Sequence, residues 1–527
     1  MRYLVNEKEM KQIDKDTIEG TGIPSVVLME RAALAVVEEI RQRVDAPSVL
    51  CVCGCGNNGA DGLAIARILT EADISAHVLV LGNAERATEE WKQQREIIEK
   101  LSIPVVANPD VSEYTVIVDA IFGIGLGRDI EGSYAEWIDR INRSEAFVIS
   151  VDMPSGIATD SGELKGIAIK ADVTVTFGLL KSGLVFYPGA EYAGEVCVKQ
   201  IGFPKQNVEA VRPKLYTFDK EDLVMLPVRK ADLHKGSAGK ILILAGSKNM
   251  AGAAILSAKA AYRMGAGLVR IMTPECNREI IQTALPEAVL STYDEKQEFE
   301  EMQTYEKMQT YEKMFVQSLE WADAVVAGPG LGQTEAAYRL IKTLSGYAAE
   351  HKEKRYVLDA DALNLLAIYR ELWKGFADCA VITPHMGEMA AILDTTVCEL
   401  QKNRIALAKS VGMEYNLICV LKDARTIVCE GDGACYVNTS GNSGMATAGS
   451  GDVLSGVIAG CLAMGLPARR AAELGVYLHG LAGEAAREKL GEHAVMAQDI
   501  TEGIAQVLKA AEDGSTGKVW KRNGDRC

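Results

Sequence analysis

Two three-layer α/β/α domains are the fold class that this sequence predicts, and three observations predict it. The chain has 527 residues, more than one ordinary core organises. Short apolar runs recur along it, each closing in a loop rich in glycine and in acidic or amide residues and then giving way to a helical pattern, the order of strand and crossover helix in a parallel sheet. Polar, proline-bearing sequence from about Lys205 to Lys230, with Pro213 and Pro227, breaks that rhythm once. The domains are therefore placed at residues 1–215 and 216–512, with a polar tail at 513–527.

Composition narrows the function classes. With 48% hydrophobic and 24% charged residues the chain reads as globular, and a net charge of −16 argues against a nucleic-acid or anionic-membrane surface, so small molecules are the expected partners. A phosphate-bearing ligand must then be held locally, by loops. Residues Met1–Met10 are charged almost at once, without the apolar core of a signal peptide, and no run has membrane length; a cytoplasmic homo-oligomer is expected. The 12 cysteines lack paired CxxC spacing and are expected to be reduced and buried. Cys51, Cys53 and Cys55 alternate, but no histidine or second cysteine pair accompanies them to complete a zinc site.

In chain order, Val27, Leu28, Ala32, Leu34, Ala35 and Val36 predict an amphipathic helix over Ser25–Arg43. A strand, Ser48–Cys53, then leads through the loop Gly54–Gly62 to the helical pattern of Leu63, Ile65, Ala66, Ile68 and Leu69, a phosphate-binding βα unit. Two more strands end alike. Val116–Asp119 runs into a loop with Gly123, Gly125, Gly127 and Arg128, and Val148–Asp152 runs into Ser155-Gly156. Carboxyl ends of parallel strands share one edge, so Asn58, Asp119, Asp152 and Ser155 should converge there. An oxygen-only set of that kind favours a hard cation. Arg128 would hold a phosphate or face solvent.

The stretches GxGNNGxDG, VDAIFGxGLxR and VDMPSG resemble the NAD(P)H-hydrate epimerase family, with further likeness at Thr176–Lys181 and Tyr187–Gly189. The resemblance implies a Rossmann-like fold and K+ held by Asn58, Asp119 and Ser155. It implies that substrate is held by Asn57, Asn58, Gly59, Ala60 and Asp61, by Gly123, Ile124, Gly125, Leu126, Gly127, Arg128 and Asp129, and by Asp152. Ala60 stands where that family usually has glycine.

Strands in the second half are expected at Lys240–Ala245, Ala324–Ala327, Tyr356–Leu358, Ala380–Ile382 and Leu417–Leu421, the polar loops again following them. Met302–Lys307 is repeated at once as Met308–Lys313, read as an exposed duplication that lengthens a peripheral helix or loop. The stretch that organises this half is Gly441–Gly456. Small residues fill it as far as Asp452, after which Val453, Leu454, Val457, Ile458 and Leu462 begin a helical pattern. Glycines let backbone N–H groups approach an anion, and the helix end adds unpaired donors. A carboxylate in such a place repels phosphate, which makes Asp452 a candidate general base; the alternative is a glycine-rich connection with Asp452 as its N-cap.

The joint order of GPGLG, TPHxGE, VLKxxxT and GxGDVLSG resembles the ADP- or ATP-dependent NAD(P)H-hydrate dehydratases, from about His234 to Gln498. It implies a ribokinase-like fold, hydrated dinucleotide at Ala253, Gly330, His385 and Asp452, and adenine nucleotide at Lys422, Asp423, Ala424, Arg425, Thr426 and Gly451. Asp423 stands where glycine is common. Together the resemblances imply a bifunctional repair of NAD(P)H hydrates, in which a K+-organised site interconverts the R and S epimers and the second domain dehydrates the S epimer with ADP or ATP and Mg2+. From the residues themselves, Asp152 is chosen for acid/base work near C6 and Asp452 as the base that activates the S epimer's hydroxyl for phosphorylation and elimination. Two rivals remain at this stage, a ribokinase-like small-molecule kinase and a nucleotide sensor whose first domain is inactive.

Overall fold

The computed structural model describes residues 1–293 and 305–515. The chain divides into two compact units, Arg2–Tyr216 and Thr217 onward. Strands of the first are β1 (Arg2–Val5), β2 (Ser48–Cys53), β3 (Ser75–Val80), β4 (Val116–Ala120), β5 (Phe147–Val151), β6 (Val173–Phe177), β7 (Leu180–Lys181) and β8 (Glu195–Lys199). Six of them form a parallel sheet in the order β3-β2-β4-β5-β6-β8, and β1 pairs with β7. Its layering can be read from β2 alone. Val49, Cys51 and Cys53 join a core with Leu28, Val36 and Leu63 from the helices Ser25–Arg43 and Asn57–Glu71, whereas Leu50 and Val52 join Trp137 and Ile141 of the helix Ser133–Asn142. Successive side chains of a strand face opposite ways, so one alternating run has a helix layer on each side.

After β9 (Leu215–Thr217), the second unit contains β10 (Lys240–Leu244), β11 (Leu268–Pro274), β12 (Val289–Tyr293), β13 (Ala324–Ala327), β14 (Arg355–Leu358), β15 (Ala380–Ile382), β16 (Ile418–Leu421), β17 (Ile427–Glu430) and β18 (Cys435–Val437). They are ordered β12-β11-β10-β13-β14-β15-β16-β17-β18. The sheet is parallel as far as β16 and antiparallel at β16/β17 and β17/β18. The helix Ser450–Ala463 lies against Ala251–Arg263 because Gly456 and Gly460 have no side chain there; a Cβ on Gly456 would collide with the Ser257 carbonyl.

The direction of the strand order reverses between β2 and β4 in the first sheet and between β10 and β13 in the second. Loops on either side of such a reversal turn away from each other and leave a crevice at the carboxyl edge. The crevices are flanked by the loops after Cys53 and Ala120, and by those after Leu244 and Ala327.

Several local expectations are corrected. Asn57–Asp61 is the first turn of the helix Asn57–Glu71, not a loop, because Gly56 is its N-cap in extended conformation. Likewise Gly449, at φ +88°, caps the helix Ser450–Ala463, so Asp452 is its third residue and not its cap. Cys429 and Cys435 form a disulfide between the antiparallel strands β17 and β18, contrary to the expectation of reduced thiols throughout; nine other cysteines are free among the described residues. The helix Ala497–Ser515 runs past the expected start of the tail at 513, and residues 516–527 lie outside the described residues. The duplication begins outside them too, at residues 302–304, and continues in the helix Tyr305–Trp321.

Gly59 and Ala60 test the close packing of the first helix turn. A Cβ on Gly59 would collide with the Gly54 carbonyl oxygen, whereas Ala60 is already fully buried among apolar side chains. Gly59→Ala should cost about 3 kcal/mol in thermal or denaturant unfolding, the upper end of overpacking. Ala60→Gly should cost only about 1 kcal/mol, the helix-propensity difference.

Candidate active sites

In the first unit a cavity of about 840 Å3 opens at the carboxyl edge. Asn57, Asn58, Asp61, Gly123, Ile124, Gly125, Leu126, Arg128 and Asp152 line it. Asp129 lines a neighbouring recess of about 390 Å3 with Leu126 and Arg128. Gly59 and Ala60 are buried and do not line the cavity, because they point into the body of the unit from the helix's first turn.

Asp152 is one residue past β5, at φ +66°, a conformation that turns its carboxylate back over the sheet edge. Its Oδ1 accepts from Lys181 Nζ at 2.6 Å, Thr176 Oγ1 at 3.1 Å and the Phe177 amide at 3.2 Å. Lys181 is fully buried at the end of β7, and its ammonium also donates to the Phe177 carbonyl at 2.8 Å. Two further carboxyls face the same cavity. Burial, and then the charges of Asp152 and Asp14, push Asp61 well above the ordinary carboxylate range. Burial and Asp152 push Asp14, on the helix Glu7–Lys15, up to about 6 against the opposing pull of Lys181.

Asp119 and Ser155 are both fully buried. Asp119 accepts from Ser155 Oγ at 2.5 Å, Ser155 N at 2.9 Å and Ser150 Oγ at 2.8 Å. These partners are neutral, and burial raises the Asp119 pKa despite them. Asn58 packs beside Gly123, and its buried Nδ2 has no hydrogen-bond partner.

In the second unit, Asp359 follows β14 and Lys422 follows β16, and their side chains meet at 2.7 Å. Asp359 is 1% exposed and also accepts from Ser455 Oγ at 2.6 Å and the Ala360 amide at 2.9 Å. Gly451 sits directly over this pair: a Cβ on it would lie 3.4 Å from Lys422 Nζ. Burial and the charge of Asp359 push Asp452 up to about 7, with Lys422 opposing them. Across the β10/β13 crevice, Gly330 at φ +58° packs on Ala253, whose Cβ would be 2.9 Å from a Cβ placed on Gly330.

His385 caps the helix Met386–Leu393, with its Nδ1 accepting from the Gly387 amide at 2.9 Å and the Glu388 amide at 3.2 Å. That pattern leaves the ring proton on Nε2, which lies 3.4 Å from Glu388 Oε1. The Lys422–Thr426 segment is the connection between β16 and β17. Asp423 folds into it by accepting from the Ala424 amide at 2.8 Å and meeting Arg404 at 3.2 Å. Arg425 donates to the Thr439 carbonyl at 3.3 Å, and Thr426 Oγ1 to the Asp423 carbonyl at 3.2 Å.

Residues 241–506 match the family model for NAD(P)H-hydrate dehydratase, and residues 25–183 match that for the YjeF-related protein N-terminus. A bifunctional NAD(P)H-hydrate repair enzyme of Thermofilum pendens is 36% identical over 515 residues, covering 96% of each chain. The chain belongs to the bifunctional NAD(P)H-hydrate repair enzyme family. Its Escherichia coli relative is 33% identical over 95% of this chain and 93% of that one. An ADP/ATP-dependent NAD(P)H-hydrate dehydratase from Bacillus subtilis, co-crystallised with ATP/Mg2+, has 29% identity and a TM-score of 0.46, covering 56% of this chain and 97% of that chain.

Within this repair-enzyme chain, sequence reasoning missed residues that matter electrostatically. Lys181 lies in a strand-end motif that does not point to Asp152, and Asp14 carries no motif. Asp359 did carry a signal, as an aspartate just past an apolar strand. The remaining member, His479, is buried beside Ser450 at 3.4 Å and is pulled down to about 4 by burial and the charge of Lys422, so it is neutral at physiological pH.

The raised Asp452 pKa has two consequences. As a general base Asp452 would have to be ionised, in which case kcat/KM of the second unit should fall as pH drops below about 7 in the free enzyme. Its folded pKa lies above the unfolded value of 3.8, so the associated stabilisation is complete below about pH 4 and is lost as pH rises through about 7. Asp452→Asn should therefore raise the Tm more at pH 8 than at pH 5, read by a thermal melt at each pH.

Proposed function

We propose that this chain repairs hydrated nicotinamide dinucleotides, the first unit interconverting the epimers at C6 and the second dehydrating the S epimer with ADP or ATP. The observation that carries the second assignment is Asp452 in the first turn of the helix Ser450–Ala463, next to the Gly451 backbone and the Lys422–Asp359 pair. Asp452 takes the proton of the C6 hydroxyl as its oxygen attacks the terminal phosphoryl group. Amides at the start of the helix receive the charge that develops on that group. Lys422, anchored by Asp359, and the hydroxyl and backbone of Thr426 hold the nucleotide. The phosphorylated hydroxyl then leaves as phosphate and the dihydropyridine ring is restored; AMP is the other product when ADP is the donor. His385, with its proton on Nε2, and the Ala253–Gly330 contact position the dinucleotide.

The buried carboxylates Asp359 and Glu388 beside Lys422 are oxygen donors of the kind that suit Mg2+ arriving with the nucleotide. Glu388, buried and 3.9 Å from Lys422, would hold it together with the phosphates. The ion supplies charge neutralisation of the transferring group.

In the first unit, Asp152 serves as acid/base near C6, and Asn57, Asn58 and Asp61 with the Gly123–Arg128 loop hold the dinucleotide in the cavity. A buried Asp119 whose hydrogen-bond partners are neutral fits a monovalent cation, with Ser155 and the Asn58 amide oxygen as further ligands. K+ there supplies the missing counter-charge. Ala60 does not favour an inactive first unit, because its methyl is buried away from the cavity. A cytoplasmic setting and a homo-oligomer belong to the same reading.

The test follows recovery of dihydronicotinamide absorbance from a mixed-epimer hydrate with ADP or ATP, Mg2+ and K+. Asp452→Asn should lower the dehydration rate by roughly a thousandfold or more. Asp152→Asn should leave repair of the S epimer fast and slow the rest to the spontaneous epimerisation rate. Untouched hydrate with either nucleotide would overturn the reading in favour of a small-molecule kinase. Exchange of K+ for a bulky organic cation should slow epimerisation on the order of tenfold while sparing S-epimer dehydration, and Asp119→Asn should abolish that response.

A further inference from the structure

Epimerisation at C6 returns a hydroxyl to the opposite face of its carbon, so protons must be given and taken at two positions. Asp152 alone is poorly placed to do both. Its Oδ1 is already shared among Lys181, Thr176 and the Phe177 amide. The cavity brings two more carboxyls to it from separate elements, Asp14 from the helix Glu7–Lys15 and Asp61 from the first turn of Asn57–Glu71. Each of the three raises or feels the charge of another, so they lie within electrostatic reach of one another. One buried ammonium, Lys181, faces this group and is held by Asp152 at 2.6 Å. The other lysine on the cavity wall, Lys11, is bonded to Glu7 at 2.5 Å. Arg86, Arg128 and Glu90 line the wall as well, but Lys181 and Lys11 are committed to Asp152 and Glu7, and burial together with the mutual charge of Asp14, Asp61 and Asp152 keeps protons among these three carboxyls.

We propose that Asp14 is the second proton-transfer group of this cavity, acting with Asp152 on the C6 hydroxyl; this rests on the epimerase reading of the first unit. Asp61 and Asp14 differ in what they can do. Burial and two acidic neighbours push Asp61 well above the ordinary carboxylate range, whereas Asp14, on a separate helix at the cavity wall and raised to about 6, exchanges its proton close to working pH. In the forward step the Asp14 carboxyl gives its proton to the C6 hydroxyl oxygen. The C6–O bond breaks and its electron pair leaves with water, while the N1 lone pair closes a C6=N1 double bond; the resulting cation faces the Asp152 carboxylate. Water then adds to the other face of C6, the C6=N1 pair returns to N1, and the surplus proton passes to Asp152. Proton exchange with solvent resets the two carboxyls. No oxidant or further reactant enters.

The experiment uses the full chain and the purified R epimer without nucleotide, following the appearance of S by chromatographic separation. Asp14→Asn should lower kcat on the order of a hundredfold with KM within about twofold. Its Tm should be equal to or above that of wild type, since the change removes carboxylate repulsion. Asp14→Glu, which keeps a carboxyl, should recover at least about tenfold over Asp14→Asn. Dehydration of the S epimer by the second unit should be unchanged in both variants. The proposal is overturned if Asp14→Asn epimerises within a few-fold of wild type, if its loss of rate comes with a lower Tm, or if KM rises in proportion. A wild-type chain that dehydrates S but never converts R would instead overturn the epimerase reading itself, and the role of Asp14 with it.

Discussion

In each unit an aspartate one residue past a strand is held by a lysine at the end of another, and both members are largely withdrawn from water. Asp152 meets Lys181 at 2.6 Å, and Asp359 meets Lys422 at 2.7 Å. Desolvating such a pair costs about as much as its attraction returns, so its worth is geometric. Loss of one partner would strand the other charge, at about 3–5 kcal/mol. Each pair therefore ties two otherwise independent strand-end loops to one another, and the reactive residues are positioned relative to that tie. Gly451 and Asp452 gather around the second pair, and Asp14 and Asp61 around the first.

A common charge pattern follows. In both sites burial and a neighbouring carboxylate raise the pKa of a carboxyl. Asp452 sits near 7 and Asp14 near 6, within the range where a carboxyl can exchange its proton at working pH. In the proposed reaction phosphate would be accommodated despite the acidic surroundings by backbone amides at helix starts, which carry partial positive charge without a side chain. Glycine at these points is a steric requirement. Gly449 needs a positive φ to turn into the helix, and a Cβ on it would strike Leu256.

The wedge between β10 and β13 and that between β2 and β4 explain why unrelated-looking loops cooperate. The chain reverses its winding there, so Gly330 meets Ala253 although 77 positions separate the two in a 527-residue chain. The disulfide between Cys429 and Cys435 spans the hairpin that directly follows Lys422–Thr426, joining two buried strand positions on either side of a short turn.

Much of this was legible in the sequence. Ser25–Arg43, Ser48–Cys53, Ala324–Ala327 and Ala380–Ile382 have the bounds that periodicity predicts, because apolar spacing and turn residues are local properties. The motifs also sufficed for the family, since each strand-end loop keeps its own residue types and their order. Other features depended on tertiary contacts. The helices begin at Asn57 and Ser450, earlier than their apolar patterns, because extended Gly56 and left-handed Gly449 let polar residues form the first turn. Cysteine spacing did not reveal the pairing of Cys429 with Cys435, which depends on antiparallel register. Lys181 and Asp14 read as ordinary charges until the fold of the first unit set them beside Asp152, and the partnership of Asp359 with Lys422 exists only once the second sheet has assembled. Residue type and local order are written along the chain, but burial and the distance between charges from different elements exist only once the sheet has assembled, and those two quantities set the pKa values on which the chemistry depends.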